Sequence, residues 1–416
     1  MFYDSSTNEV LLYRVIETNN EDPPANVSSI NRTTVVLIVL LVCGILAFAL
    51  SAFVLLSNRN AIVLPPTCDK RIIGYYTEFE PIHITESQLE KLTHVVFAYI
   101  KLNENGSLEF GDNKAKKRFQ KLKNRMEGLK RVPKIMISIG GAEGSYNFAN
   151  VIADSKKKST FIDSLSTFFK NHKIDGVDMY WKWPTATDKY DYIAFLRELH
   201  SNFKQQYIIS IVIPPAQVDT WEHGFDLVKL IDYVDFINVY TMDYNGPWNH
   251  QYGTPAGPSA PLYSGFGVRK NFNVDFTIQH YLDIIENPEK LNIVIPFYVR
   301  VWKNVKEPVK QGEEAFRNVE LKNNGAEGSP YMSRWTAEHE GWKLTPDSWD
   351  EKSKSSFIYN QEKETYLTFE TERSLNAKRN YVIEKQLGGV WIWSVEMDDN
   401  SFSLLNNITR DGFCFS

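Results

Sequence analysis

The stretch that decides the fold is Ile174-Asp-Gly-Val-Asp-Met-Tyr-Trp-Lys-Trp-Pro184. It begins with an apolar residue and ends at a proline, which is typical of a strand that leaves a turn. Because strand side chains alternate between faces, its residues fall into two sets. The apolar set is Val177, Met179 and Trp181, and the polar set is Asp178, Tyr180 and Lys182. This stretch alone leaves open whether the polar set faces a pocket or forms a solvated salt bridge on an edge strand.

The overall composition is that of an ordinary folded chain. Its 416 residues include 46 Lys and Arg against 51 Asp and Glu, a net charge of −5, and 43% are apolar. Nucleic-acid binding and intrinsic disorder both need a skewed composition, so we expect neither, and we expect no metal and no cofactor. All ten Trp lie between Trp181 and Trp393, so the later part of the chain has flat apolar surface for a core or a ligand platform.

The run from Val35 to Leu56 contains no charged residue. As a helix it would span ~33 Å, which matches a hydrocarbon core of ~30 Å. A buried helix of that length normally has a polar stripe, and a cleaved signal peptide is usually shorter and nearer the N-terminus. We therefore expect a disordered cytoplasmic tail over residues 1–34, a transmembrane helix over 35–56 and a stalk over 57–67.

The orientation of this helix rests on conflicting signals. More basic residues follow the helix than precede it, which weakly favours a cytoplasmic C-terminal side. Against this, Cys68 and Cys414 would meet if the domain closes on itself, and a lasting disulfide needs an oxidising compartment. Glycosylation sequons at Asn105 and Asn407 lie on the same side, although two others precede the helix. We expect a single-pass type II membrane protein with an extracellular or lumenal domain.

After the stalk, short β-rich runs alternate with helical patterns. The runs cover 71–76, 94–100, 134–139, 174–181, 207–213, 234–240, 291–298 and 389–394, and the clearest helices cover 115–129, 158–171, 188–204 and 374–386. Strands that alternate with helices pair in parallel through right-handed crossovers. Eight such units predict an α/β fold, a (β/α)8 barrel over residues 68–416, with a small insertion subdomain at about 303–369 between strands seven and eight.

The barrel changes the interpretation of the opening stretch. In this fold the functional site lies at the carboxyl ends of the strands. Asp178, Tyr180 and Lys182 therefore face the barrel interior and run toward its mouth, while the apolar set packs against the surrounding helices. This favours the pocket over the edge strand.

Five short motifs follow one another along the predicted strands. They are Ser138-Ile-Gly-Gly on strand three, Asp175-Gly-Val-Asp-Met-Tyr-Trp-Lys182 on strand four, Tyr240-Thr-Met-Asp243 on strand six, Pro296-Phe-Tyr-Val-Arg300 on strand seven, and Gly388-Gly389 with Trp393, Asp398 and Asp399 on strand eight. From Lys70 to Cys414 the chain thereby resembles glycoside hydrolase family 18, the chitinases and chitinase-like lectins, and within it the nematode chitinase-like group. Each motif alone is weak evidence for the resemblance, but five motifs in the right order along the predicted strands are specific evidence.

The resemblance implies substrate-assisted glycoside cleavage, in which a strand-four Glu protonates the glycosidic oxygen. The preceding Asp and a strand-six Tyr hold the substrate's acetamido group as it attacks. In this chain all three are replaced, by Lys182, Tyr180 and Met242 respectively. An ammonium with a reference pKa of ~10.4 is a poor proton donor, and we expect Asp178 to keep it charged. Because general acid catalysis contributes ~10²–10⁴ in rate, we expect a pseudoenzyme without chitinase activity.

Other pocket residues of the family persist. Trp393 matches the aromatic floor beneath the central sugar, although ordinary core packing is the alternative. The resemblance assigns glycan contacts to Asp243, Tyr298, Arg300 and Trp248. Asp178 is a further candidate for the pocket, but support of the barrel floor is the favoured role for it.

The leading hypothesis is a membrane-tethered, catalytically inactive chitinase-like protein that binds chitin or N-acetylglucosamine oligosaccharides. One alternative is a glycosidase with relocated chemistry that uses Asp178 or Asp243 as its acid. The other is a protein-interaction module without glycan affinity, in which Tyr180 fills the sugar subsite. The sequence identifies no protein partner.

Overall fold

The computed structural model describes residues 31–45 except 34 and 39, and residues 70–413 except 205, 346–347 and 411–412. The chain divides into two units, Met1–Pro65 and Pro66–Ser416. In the first unit, helical residues between 32 and 45 carry exposed apolar side chains. None of the helices within the described ranges is long and apolar enough to cross a membrane.

Several predictions made for the ends of the chain fall outside these ranges. The predicted transmembrane segment continues through residues 46–56, and the predicted stalk covers 57–67; neither stretch is among the described residues. The same is true of most of the predicted tail and of both Cys68 and Cys414. The anchor, the stalk and the disulfide therefore stay predictions.

The second unit contains the predicted barrel of eight parallel strands. They are β1 (Arg71–Thr77), β2 (His94–Leu102), β3 (Lys134–Gly140), β4 (Gly176–Trp181), β5 (Ile208–Ile213), β6 (Phe236–Val239), β7 (Leu291–Pro296) and β8 (Gly389–Trp393). Strand β1 pairs in parallel with both β2 and β8, which closes the ring. The strands are buried on both faces, which is why their sequences are nearly continuous apolar runs.

The second unit also contains α-helices, most of which lie between successive barrel strands in the chain. They are Glu86–Leu89, Asn113–Met126, Gly141–Gly144, Phe148–Ala153, Ser155–His172, Lys189–Phe203, Leu227–Leu230, Val274–Leu282, Arg334–His339, Glu372–Glu384 and Ser403–Ile408, of which Arg334–His339 belongs to the insertion. On β4, Trp181 stacks on Phe148 with ring centroids 5.3 Å apart and meets Tyr192 edge-on at 5.3 Å. The apolar set of the opening stretch therefore faces the helices, as the alternation predicts.

The inner face of β4 carries Asp178, which is 0% exposed. Its carboxylate accepts hydrogen bonds from Tyr75 on β1 at 2.8 Å, Ser138 on β3 at 2.8 Å and Ser210 on β5 at 2.7 Å. The amide of Asn238 on β6 lies at 3.4 Å. Burial raises the pKa of Asp178, and these hydrogen bonds oppose the rise. Asp178 thus joins strands from much of the ring into one buried polar centre.

The insertion between β7 and β8 is built around a five-stranded antiparallel sheet. Its strands, in spatial order, are Gly328–Ser333, Tyr298–Trp302, Thr365–Phe369, Ser355–Asn360 and Ser348–Asp350, and Val305–Pro308 pairs with Arg317–Val319 beside it.

The start of this sheet differs from the prediction. The sheet begins at Tyr298, whereas the sequence placed 291–298 in the seventh strand and the start of the insertion near 303. Strand β7 ends at Pro296, where proline lacks the N–H needed to continue a ladder. A second element that the pattern did not reveal is the short strand Leu108–Phe110, which pairs antiparallel with β2.

Glu396 ties the end of β8 to the end of β1. Its Oε1 accepts hydrogen bonds from the Thr77 backbone N–H at 2.8 Å and from the Thr77 hydroxyl at 2.5 Å. Arg118 lies 3.8 Å from the same oxygen, and Oε2 finds no hydrogen-bond partner among the described residues. Burial raises the pKa of Glu396 to about 7.

We expect Glu396→Gln to change how stability depends on pH. The folded-state pKa of about 7 lies above the ordinary value of 4.5, so the folded chain binds an extra proton between these values and loses stability as the pH rises through them. The neutral amide does not ionise. At pH 8 the free energy of unfolding of the variant should therefore be higher than that of the wild type by on the order of 3 kcal/mol. This difference should disappear by pH 4.5. Urea unfolding across this range measures it, with the exposed Glu340→Gln as control; a pH-independent difference would contradict the expectation.

Candidate ligand-binding site

A cleft of about 610 Å³ opens at the carboxyl ends of the barrel strands. Much of its lining is aromatic: Phe79, Tyr99, Tyr146, Tyr180, Tyr240, Tyr331 and Trp393. This is the end of a (β/α)8 barrel at which functional sites lie. Of the residues that the sequence singled out, Tyr180, Lys182, Met242 and Trp393 meet in this cleft.

Lys182 directly follows β4 and reaches toward the segment after β6. Its Nζ donates a hydrogen bond to the Tyr240 hydroxyl at 3.1 Å and lies 4.4 Å from the centre of that ring. Burial lowers the pKa of Lys182; Asp243 opposes this shift and Arg300 adds to it. The expectation that Asp178 keeps the ammonium charged is wrong, because Asp178 is enclosed by its own donors and the acidic neighbour of Lys182 is Asp243.

Tyr240 is a site residue that the sequence analysis missed. Its hydroxyl accepts from Lys182 and donates to the Asp243 carboxylate. The signal was present: the family's strand-six motif is Met-x-Tyr-Asp, whereas this chain has Tyr240 and Met242 exchanged. Residues two apart on an extended segment share a face. The hydroxyl that Met242 lacks is therefore supplied from the same side by Tyr240, two residues earlier.

Asp243 connects the barrel to the insertion. Its carboxylate forms an ion pair with Arg300 and accepts a hydrogen bond from the Tyr298 hydroxyl, both on the first insertion strand. The Tyr331 hydroxyl donates to it at 3.2 Å. Burial would raise the pKa of Asp243, but Arg300 and Lys182 hold it below its ordinary value. The predicted residues Asp243, Tyr298 and Arg300 thus meet, around a carboxylate that stays ionised at neutral pH.

Tyr180 occupies the inner end of the cleft. It is 3% exposed, and the ring centroids of Tyr99, Tyr240 and Trp393 lie 5.9, 6.3 and 6.3 Å from its own. Burial raises the pKa of Tyr180, so the side chain is a neutral phenol. The ring therefore narrows the cleft at its base without carrying the charge that an Asp would bring.

The two predicted tryptophans lie in different surroundings. Trp393 lines the cleft, is 9% exposed, and packs with its ring centroid 5.6 Å from that of Tyr75. Trp248 instead lies against Arg300, whose guanidinium carbon is 4.6 Å from the centre of the indole ring. Trp393 is thus placed to meet a ligand, whereas Trp248 covers the buried guanidinium.

Three glutamates on the cleft wall, Glu78, Glu80 and Glu143, were also missed by the sequence analysis. Glu78 and Glu80 come directly after β1 and line the cleft. Burial raises the pKa of both residues. They lie in a loop that matches none of the five motifs, so nothing in the sequence pattern singled them out.

The two predicted glycosylation sites differ in accessibility. Asn105 is exposed in the turn between β2 and Leu108–Phe110, where its Oδ1 accepts from the Ser107 N–H at 2.9 Å. Asn407 is 3% exposed in Ser403–Ile408, and its Nδ2, the atom to which a glycan would be attached, is buried. In the folded chain the side chain of Asn105 is therefore accessible and that of Asn407 is not, and glycosylation at either sequon stays a prediction.

The fold and the site together define a class: (β/α)8-barrel proteins with an aromatic cleft at the carboxyl ends of the strands. Comparison with known proteins makes this specific. Residues 71–398 match the profile of Glycosyl hydrolases family 18, and the chain belongs to this family.

The chain is similar to proteins named as chitinases and to a structure that was solved in the presence of chitooligosaccharides. The chain is 27% identical over 296 residues to "Probable chitinase 2" of Drosophila melanogaster, spanning 66% of this chain and 59% of that protein. It is 23% identical to Chitinase B of Serratia marcescens, spanning 85% of this chain and 84% of that protein. The structure of YKL-39 solved in the presence of chitooligosaccharides (GlcNAc4) has a TM-score of 0.69 at 19% identity, covering 82% and 98% of the two chains.

We expect Arg300→Met to destabilise the chain strongly. The substitution leaves the buried carboxylate of Asp243 without its guanidinium partner, and breaking a buried ion pair in this way costs about 3–5 kcal/mol. Removing the exposed pair of Arg410 with Glu372 by Arg410→Met should cost under about 1 kcal/mol. Denaturant unfolding measures both. Adding Asp243→Asn to Arg300→Met should recover part of the lost stability. If Arg300→Met and Arg410→Met cost the same free energy of unfolding, burial of the Asp243 carboxylate would not depend on Arg300.

Proposed function

We propose that this chain is a chitinase-like protein that binds chitin or N-acetylglucosamine oligosaccharides without hydrolysing them. The observation that carries the proposal is the ammonium of Lys182, hydrogen-bonded to Tyr240 at the base of an open aromatic cleft. In the family resemblance this position belongs to the proton-donating Glu. A cation there repels the positive charge that develops on the sugar in the transition state, so the same cleft is suited to binding and unsuited to cleavage.

The geometry also weighs against relocated chemistry at the two acids considered from the sequence. Asp178 is fully buried beneath its own donors and is inaccessible to a glycan. Asp243 is ionised and bound by Arg300 and three phenols, so it has no proton to donate. Glu78 is the better candidate for any residual acid catalysis, because it lines the cleft and burial raises its pKa.

Glycan binding is supported by the surface that remains. Trp393 lines the cleft together with Tyr99 and Tyr331, and flat aromatic faces pack well on the apolar face of a pyranose ring. YKL-39, a structural neighbour, was solved with a chito-oligosaccharide present. The cleft keeps about 610 Å³ despite Tyr180, which favours a ligand-binding role over a filled subsite.

We expect chitotetraose to bind the full chain and to be recovered intact. Replacing Trp393 with Ala should weaken binding by about tenfold, since loss of an aromatic contact removes on the order of 1 kcal/mol and a factor of ten is 1.4 kcal/mol. Trp335→Ala is a matched control, because Trp335 packs on His339 in the insertion, with ring centroids 3.8 Å apart, and does not belong to the described residues that line the cleft.

Calorimetric titration gives the affinity and chromatography of the sugar gives the products. Cleavage that is lost in Glu78→Gln would establish a relocated hydrolase. Absence of binding by any chito-oligosaccharide would instead favour the protein-interaction module.

We further propose that the barrel is tethered to a membrane and faces the lumen or the cell exterior. The support is the uncharged run from Val35 to Leu56 in the sequence and the exposed sequon at Asn105. When the chain is made in a secretory eukaryotic host, we expect one N-glycan, at Asn105. The gel shift on glycosidase treatment should disappear in Asn105→Gln and persist in Asn407→Gln.

The two sequons that precede the apolar run provide the control for orientation. If Asn26 or Asn31 carried the glycan and Asn105 did not, the barrel would lie on the cytoplasmic side and the proposed topology would be wrong.

A further inference from the structure

Lys182 places a cation at the base of the cleft that no described carboxylate contacts directly. Its Nζ donates a hydrogen bond to the Tyr240 hydroxyl at 3.1 Å and lies over the face of that ring, 4.4 Å from the centre. Within the part of the chain that the structure describes, Nζ makes no other hydrogen bond and no ion pair. Tyr240 donates in turn to Asp243, so the ammonium is linked to a carboxylate only through a phenol. Two of its three N–H donors therefore stay available to a ligand.

The carboxylate of Asp243 has no acceptor position left for a ligand. Its Oδ1 accepts from the Arg300 guanidinium and from the Tyr298 hydroxyl. Its Oδ2 accepts from the hydroxyls of Tyr240 and Tyr331. A carboxylate has about four acceptor positions, and all of them are thus used inside the protein. A ligand group at this end of the cleft therefore meets donors instead of a carboxylate.

Tyr180 adds a second donor beside the ammonium. It is 3% exposed and lines the cleft, and its hydroxyl makes no hydrogen bond to any residue that the structure describes. Burial raises the pKa of Tyr180, so the hydroxyl keeps its proton. Its ring centroid lies 6.3 Å from that of Tyr240, the ring over which the Lys182 amine lies. Leaving a buried hydroxyl without a partner costs free energy, which an acceptor on a ligand would recover.

The charges around Lys182 leave an excess of positive charge. The charged groups that act on it are the carboxylate of Asp243 and the guanidinium of Arg300, which form an ion pair with each other. The three glutamates of the cleft wall are not among these groups. One carboxylate thus faces two cations. Because a charge removed from water is stable when it is paired, a further anion is favoured at this place.

We propose that the cleft binds an oligosaccharide that carries a carboxylate, and that Lys182 and Tyr180 donate hydrogen bonds to this group. The inference rests on the proposed glycan binding and names its substrate class, an acidic glycan that contains N-acetylglucosamine. The aromatic rings of the cleft pack on the apolar faces of the sugar rings. The carboxylate supplies the counter-charge that the ammonium lacks, and hydrogen bonds between ionised partners are stronger than those between neutral ones.

Two kinds of sugar share this chemistry. A uronic acid carries its carboxylate on C5 of the pyranose ring, and a sialic acid carries it on C2, beside the glycosidic bond. Both combine an apolar ring face with an anion on the same ring, so the experiment includes one glycan of each kind.

The experiment titrates the full chain calorimetrically with matched pairs of glycans. One pair is a tetrasaccharide of alternating N-acetylglucosamine and glucuronic acid and the same sugar with its carboxylates reduced to alcohols. The other pair is sialyl-N-acetyllactosamine and its carboxyl-reduced form. In at least one pair the acidic glycan is expected to bind at least about tenfold more tightly, since a hydrogen bond to a charged group is worth about this factor. The pair that shows the preference identifies the source.

The failure of this inference differs from the failure of the proposed function. If chitotetraose binds and neither acidic glycan binds more tightly than its reduced form, glycan binding stands and the preference for a carboxylate is wrong. If no glycan in the series binds, both are wrong.

Variants then locate the carboxylate in the cleft. Lys182→Met should bring the ratio of the two affinities in the preferred pair to about one, and a ratio that persists would refute the assignment to Lys182. Lys101→Met is the matched control, because Lys101 also lines the cleft but its Nζ is paired with Glu109 at 2.9 Å; it should keep the ratio. The comparison of matched glycans on the wild type needs no variant, so it decides the question even if Lys182→Met fails to fold.

Discussion

A carboxylate inside a barrel is stable only when donors surround it, and Asp178 imposes that requirement on the whole ring. Its partners come from β1, β3, β5 and β6, so these strands have to keep their register relative to β4. A slip of one residue would turn Asp178 toward the helices and Trp181 toward the interior. The orientation of Tyr180 and Lys182 at the mouth therefore follows from the hydrogen bonds of Asp178, a side chain that is buried away from the cleft.

At the mouth, one ionised carboxylate lies between two cations. Asp243 is bound by Arg300 on the insertion side and lies close to Lys182 on the barrel side, with Tyr240 between it and the amine. Relative to the family motif, the acid has become a cation and the strand-six hydroxyl has moved by two residues. The replacements are mutually consistent, since Tyr240 makes the contact that links Lys182 to Asp243.

Sequence periodicity was sufficient to predict the barrel, because strand and helix patterns alternate along the chain through eight units. It was also sufficient to predict which side chains of β4 face the barrel interior, because strand side chains alternate between the two faces. It did not locate the start of the insertion, since Leu291 to Tyr298 is one apolar run and only Pro296 marks its end. It assigned Lys182 the wrong acidic neighbour, because distance along one strand says nothing about which loop folds over its end. Glu78 was missed for the same reason: its place in the cleft depends on contacts between distant segments.

The strand Tyr298–Trp302 has a consequence for the dynamics of the chain. Its residues Tyr298 and Arg300 bind the Asp243 carboxylate. The same strand, first in the chain order of the insertion, lies second in the spatial order of the insertion sheet. If the insertion separated from an intact barrel, the Asp243 carboxylate would be exposed and would at the same time lose its counter-charge, Arg300. The sheet and the barrel mouth should therefore open as one cooperative unit, with slow amide hydrogen exchange shared between them, in contrast to an insertion that flaps independently.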